Sequence, residues 1–263
     1  MDQRLVAFDL ETVPDIDAGR KALSLDDSVT DTDVRRLMGE FYAKGGQTPE
    51  EAFIKVPLQK IVCLGAIYAD RLDRGPWNVV RLGVAHIGVR TERQIVSGFI
   101  ESLGAAPSPQ LIGFNSSSFD LPVLRYRAFA LEVPAQIIHR GNGKDYWYRF
   151  GKDHIDICDV MSGFGASTKP SLVELAALLG VRAKANGVDG SAVEAMIDGG
   201  RVEEVAAYCE TDVAMTYLIF LRYSLVIGDL DNDSYGLSLN KLRDFFHERV
   251  DKRPHLAALL RNI

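Results

Sequence analysis

The sequence predicts an α/β domain, and three observations predict it. A β-favouring apolar run, Leu5-Val6-Ala7-Phe8, stands near the N-terminus and leads into carboxylates. Two more β-favouring runs follow, joined by turn residues. From about residue 91 onward, helix-period patterns alternate with short apolar runs. With 263 residues, 47% of them hydrophobic, the chain can bury a sizeable core as one large α/β domain or two small ones.

The elements read in order as follows. The first strand carries Asp9 and Glu11 near its end, two residues apart and so on one face, with backbones about 6–7 Å apart. Residues 13–57 read as an insertion between strands: nine acids, six bases, Gly45-Gly46 and Pro49 as breakers, and Val34, Leu37, Met38 and Phe41 at helical spacing. One or two surface helices are expected there. Residues 60–69 and 79–84 form the second and third strands around a turn at Asp73-Arg74-Gly75-Pro76, which suggests an antiparallel meander. A helix follows over 91–103, then a short buried strand over 110–114. That strand runs into Asn115-Ser116-Ser117-Ser118-Phe119-Asp120-Leu121-Pro122, where the serines are natural N-caps and Asp120 and Pro122 fall in a first helical turn.

Further along, 139–150 is basic and aromatic (Arg140, Lys144, Tyr146, Trp147, Tyr148, Arg149), a hairpin edge or a stacking platform for single strands. Residues 153–159 read as a strand bearing the additional acids Asp156 and Asp159. Residues 171–180 read as a capped helix, with a loop through Lys184, Gly187 and Gly190 and a short helix over 192–197 after it. The longest helical pattern, 201–227, contains Tyr208 and Asp212, four apart and therefore on one face. The tail, 240–263, has six bases against three acids and reads as a surface helix with an apolar anchor at Leu256, Leu259 and Leu260.

Each acid alone has an ordinary explanation: a solvated strand end, or a helix start favoured by the helix dipole. Their order does not. Asp-x-Glu on a first strand, Asp at a helix start and Tyr-x-x-x-Asp on a late helix together resemble the DEDD superfamily of 3′–5′ exonucleases. The subclass it resembles is the tyrosine one, seen in the proofreading domain of family-B DNA polymerases and its stand-alone bacterial relatives. Phe8-Asp9-Leu10-Glu11-Thr12 looks like the first motif, Asn115 to Leu124 like the second, and Tyr208 to Asp212 like the third. The histidine subclass places its base five residues before the last Asp, where this chain has Ala207.

The resemblance implies an RNase H-like fold: a mixed central sheet, its first three strands antiparallel, flanked by helices. It implies an exonuclease domain over 1–227, interrupted by the 13–57 insertion, with 228–263 as a helical extension packed on the same domain. It also implies two divalent metal ions, Mg²⁺ or Mn²⁺, held by Asp9, Glu11, Asp120 and Asp212, an all-oxygen set that suits hard cations. Asp9 would serve both ions, Glu11 and Asp212 the ion that carries water, and Asp120 mainly the second. Tyr208 would orient the attacking water. Leu10, Thr12, Asn115 and Phe119 would border the terminal nucleotide. The expected substrate is a single-stranded nucleic acid 3′ end, DNA favoured over RNA, with nucleoside 5′-monophosphates as product. The alternatives are an exoribonuclease and a catalytically silent replication adaptor.

Composition agrees with that expectation. The net charge of −6 speaks against coating long duplex, because phosphate contacts supply most non-specific affinity. Four carboxylates in one metal site would carry most of it, which leaves an end-trimming enzyme open. Cys63, Cys158 and Cys209 lack metal or pairing spacing, and no long apolar run or signal peptide is evident. The expectation is a cytoplasmic protein with reduced thiols and no membrane partner.

Overall fold

Strand β1 (Asp2–Pro14) is the centre of the sheet. The computed structural model describes residues 2–104, 108–139, 145–181 and 190–260. β1 pairs antiparallel with β2 (Gln59–Leu72), which pairs antiparallel with β3 (Asn78–His86). On its other side β1 runs parallel to β4 (Gln110–Gly113), and β4 parallel to β5 (His154–Asp156). The order is β3-β2-β1-β4-β5, a mixed sheet whose first three strands are antiparallel, as expected.

The insertion is an elaborated hairpin connection. Pro14 still pairs with Gln59, and the Asp15 amide donates to the Leu58 carbonyl at 2.8 Å, so the segment leaves and returns at one point. It holds the two expected helices, α1 (Ile16–Ala22) and α2 (Asp31–Tyr42), around a small core of Val34, Met38 and Ile54. Phe41, one of the apolar positions at helical spacing, is 66% exposed. Arg127 anchors the insertion's stem: its guanidinium reaches Asp15 at 2.6 Å and Glu92 at 2.6 and 2.7 Å.

One face of the sheet is covered by α3 (Glu92–Ser102) and α4 (Asp120–Ala130), which bury Val6, Phe8 and Leu10 of β1. β5 ends after three residues, and the chain turns into α5 (Ile157–Met161) rather than continuing the strand expected to residue 159. Asp156 causes the turn by accepting the Cys158 and Asp159 amides as N-cap. Next come α6 (Leu172–Leu178), closed by the capping box of Ser171 and Glu174, and α7 (Val193–Asp198). The expected loop residues Arg140, Lys144, Lys184 and Gly187 lie outside the described residues.

The opposite face belongs to α8 (Val202–Val226), on which α9 (Asn232–His247) and α10 (Ala257–Leu260) pack. Val213 to Leu221 are all buried, because sheet and tail cover α8 on different sides. α9 begins eight residues before the tail helix expected from residue 240, and it is less superficial: Leu242, Phe245 and Phe246 enter the main core. Leu256 and Leu259 are fully buried, as the anchor reading requires. Among the described residues, no helix is long and apolar enough to cross a membrane.

Gly65 on β2, opposite Asp9, permits the close approach of α8. A Cβ there would stand 3.0 Å from both Cys209 Sγ and Val213 Cγ2. Gly65→Val is therefore expected to lower the unfolding free energy by about 1–3 kcal/mol through overpacking, measured by chemical denaturation. An unchanged midpoint would mean that α8 has slack against the sheet.

Candidate active site

The face of β1 that meets α8 is apolar at Leu5 and Ala7, then acidic at Asp9 and Glu11, then apolar again at Val13. A strand with this alternation must carry both carboxylates to the floor of whatever α8 covers. The β1–β2 register shifts between Glu11 and Thr12, so the ladder is irregular where the acids stand. Glu11 is buried, and Asp9 keeps only a partial opening to solvent.

Asp120 arrives from the other strand. β4 pairs with β1 only as far as Ala7, which leaves the β1 edge free beyond that point. Asp120, buried at the start of α4, uses it: its Oδ1 accepts the Leu10 amide at 3.0 Å. The serines do not cap this helix. Phe119 holds the N-cap position and supplies no side-chain hydrogen bond. The Asn115–Ser118 turn is instead held by Asp156, whose carboxylate accepts the amides of Asn115 and Ser117, each at 2.8 Å. Asn115 has the positive φ of 57° that asparagine tolerates best after glycine.

From α8, Tyr208 and Asp212 complete the group. The Tyr208 hydroxyl hydrogen-bonds Asp212, and both side chains are half-buried. The Asp9 carboxyl is held well above the ordinary carboxylate range, first by burial and then by the charges of Glu11, Asp120 and Asp212. Glu11 is raised well above its usual value too, by burial and then by Asp212 and Asp120. Burial lifts Asp120 to about 7, against the pull of its own and Leu10's amides. Burial and the neighbouring carboxylates push the Tyr208 hydroxyl far up, so it stays protonated. All five expected site residues thus act on one another.

These donors fit a hard divalent cation. One oxygen each from Asp9 and Glu11, together with Cys209 Sγ, lie within 4.8 Å of one another. Contact with Cys63, burial and the carboxylates raise the Cys209 thiol, which leaves carboxylate oxygens as the ligands on offer. Cys209 was not expected at the site. The signal was its place three residues before Asp212, on the same helical face.

The other expected residues divide. Leu10, Thr12 and Phe119 line a cleft of about 350 Å³ beside Glu11. Asn115 lies outside that lining, and its Oδ1 accepts from Lys169 Nζ at 3.0 Å. Lys169 also reaches Ser118 at 3.3 Å and Asp159 at 3.4 Å, a placement with no signal in its local sequence. Asp159 is taken up by Arg149, at 2.6 and 2.7 Å, and Asp156 by the turn it caps. Tyr146 is fully buried with its hydroxyl on the Pro109 carbonyl, so it is not a platform for bases.

The burial of Asp120 predicts a pH signature in the metal-free protein. The folded pKa of Asp120, about 7, exceeds its ordinary value of 3.8. A raised carboxyl pKa means stability that is full below about pH 4 and is lost as pH rises toward 7. Asp120→Asn removes that loss while keeping an acceptor for the Leu10 amide. In EDTA the variant is expected to gain Tm over wild type between pH 5 and pH 8, with added Mg²⁺ closing the gap. A Tm difference that does not vary with pH would count against a carboxyl raised by burial at this position.

Comparison with known proteins bears on the same geometry. The family described as "Predicted 3′-5′ exonuclease related to the exonuclease domain of PolB" matches residues 51–263, which hold Asp120, Tyr208 and Asp212. A DNA polymerase of Archaeoglobus fulgidus is 25% identical over 134 residues, covering 49% of this chain and 17% of the polymerase. The family B DNA polymerase of the hyperthermophilic archaeon Pyrobaculum calidifontis superposes with a TM-score of 0.53 at 19% identity. That match covers 85% of this chain and 24% of the polymerase, and it identifies the fold as the RNase H-like one of polymerase B exonucleases. The chain spans less than a quarter of either polymerase's length. With most of its residues matched, this chain belongs to the family of 3′–5′ exonucleases related to the exonuclease domain of PolB, enzymes that act on nucleic acid and are typically metal-dependent.

Proposed function

We propose that this chain is a DEDD exonuclease of the tyrosine subclass, removing nucleoside 5′-monophosphates from single-stranded DNA 3′ ends. The observation that carries the reading is the convergence of Asp9, Glu11, Asp120 and Asp212 with a tyrosine hydroxyl bonded to the last of them. At ~4 Å and an effective dielectric of ~20, each carboxylate pair costs about 4 kcal/mol. A site that keeps four of them has its charge neutralised by cations in use.

Asp9, Glu11, Asp120 and Asp212 would hold two Mg²⁺ or Mn²⁺ ions between them, Asp9 serving both. Bound there, the ions supply a water of lowered pKa and neutralise charge on the phosphodiester being cleaved. Tyr208, protonated at any working pH, donates or accepts a hydrogen bond and does not take the proton; its part is to orient the water. Glu11 would meet the terminal 3′-hydroxyl, and Leu10, Thr12 and Phe119, which line the cleft with it, would border the nucleotide. Residues 1–227 form the catalytic unit in this reading, and 228–263 buttress it.

The decisive experiment is a time course on matched 3′-labelled and 5′-labelled single-stranded DNA and RNA with Mg²⁺, Mn²⁺ or EDTA. Mononucleotides released from DNA 3′ ends, and none in EDTA, are expected. A rate favouring RNA would make the chain an exoribonuclease. No cleavage of any substrate would make it an adaptor. Asp9→Ala and Asp212→Ala are expected to abolish cleavage with the fold retained by circular dichroism, since each removes a repulsive charge. Tyr208→Phe should lose less than either. A loss as deep as that of Asp9→Ala would assign the hydroxyl more than orientation.

A further inference from the structure

The insertion borders the site on the side of Glu11. Its stem closes at Asp15 and Leu58, next to Thr12, and residues 50–54 form one side of the same cleft that Leu10, Glu11, Thr12 and Phe119 line. Phe53 is the notable member. It is 61% exposed, and its ring stands 6.0 Å from that of Phe119 at 56°. The rings are too close to hold a base between them, but together they form an angled apolar wall.

The segment carrying Phe53 is fixed. Arg35 Nη1 and Nη2 donate to the Pro49 and Glu50 carbonyls at 3.1 and 3.3 Å, while Nε donates to Glu194 of α7 at 2.6 Å. Gln59 donates to the Ile54 carbonyl at 2.9 Å. Gly39 lets α2 sit against Pro49 so closely that a Cβ would be 2.1 Å from its carbonyl oxygen. An exposed ring on a pinned backbone is pre-organised to stack at little entropic cost.

The charge of the cleft limits what it takes. Among the described residues, Glu50, Glu51 and Glu194 join Glu11 in its lining, and Arg35 there is paired with Glu194. Such walls repel phosphate and accept a neutral ring. At about 350 Å³ the cleft is near the small end of ligand pockets and fits one nucleoside.

We propose that Phe53 of the insertion, with Phe119, forms the stacking wall for the base of the 3′-terminal nucleotide, making the insertion a substrate-positioning element. This rests on the exonuclease reading above and deepens it. It explains why an unpaired end is taken: a base held against this wall is out of any duplex stack. Stacking on an aromatic ring is sequence-tolerant, because every base offers a π-face.

The test compares wild type, Phe53→Ala and Phe53→Trp on single-stranded DNA ending in a normal nucleotide or in a 3′-terminal abasic residue. Phe53→Ala is expected to raise KM for the normal end by roughly tenfold, with kcat within about twofold, and to lose the preference over the abasic end. Phe53→Trp should restore both. In parallel, an oligonucleotide ending in 2-aminopurine, with Ca²⁺ present, should be quenched by wild type and less by Phe53→Ala. Unchanged KM and an unchanged preference in Phe53→Ala overturn the wall while leaving the nuclease intact. Quenching that depends on Phe53, without cleavage by wild type, supports the wall and removes the nuclease reading.

Discussion

Four carboxylates brought to the end of one strand are the constraint on which the rest of this structure depends. Like charges at short range in a partly dry site push their pKa values up and favour separation, so the fold must hold them by means other than mutual attraction. It does so with elements that have no freedom to retreat. Asp9 and Glu11 are locked by the β1–β2 ladder, Asp120 by the amide it accepts from Leu10, and Asp212 by a helix buried on nearly every side from Val213 to Leu221. The apolar burial of α8 offsets the repulsion at its acidic end. Core packing and site chemistry are therefore one problem in this chain.

Much of this was legible in the sequence, because local rules and the global fold agree there. Period-two alternation put Asp9 and Glu11 on one face, four-residue spacing put Tyr208 and Asp212 on another, and the apolar runs located the first four strands of the sheet. Where the sequence left a question open or misled, the cause is shared. Asp156 is indistinguishable from a ligand in sequence; only the fold shows its oxygens filled by the amides of Asn115 and Ser117. Three serines before Asp120 advertise an N-cap that the turn geometry gives to Phe119. In both cases backbone amides far apart in sequence settle the competition, and propensity cannot see them. Lys169 was missed for the same reason, as a neighbour made by tertiary contact, whereas Cys209 carried its signal three residues before Asp212.

The two segments outside the motif pattern are built into the domain to different ends. The insertion has its own small core around Val34, Met38 and Ile54, and it is fastened by Arg127 at its stem and by Arg35 at its far side. That small core is a cluster apart from the sheet's, and Val56, where the insertion returns to β2, packs against the core under α3 and α4. The tail joins the main core directly. Its Phe245, Phe246 and Leu259 share a core with Leu5 and Ala7 of β1.

Glu210 makes that dependence sharper. It lies within the third motif, between Cys209 and Thr211, and is almost wholly buried. Its two oxygens meet Arg253 at 2.5 Å and His255 at 2.8 Å, partners more than forty residues downstream. Without them α8 would carry an uncompensated anion inside the protein, half a helical turn from Asp212. During synthesis, a chain that has already made all of its acidic motifs still lacks the cation that lets the last one settle. The tail is thus the counter-charge of the third motif, and its removal would leave Glu210 buried without its cation.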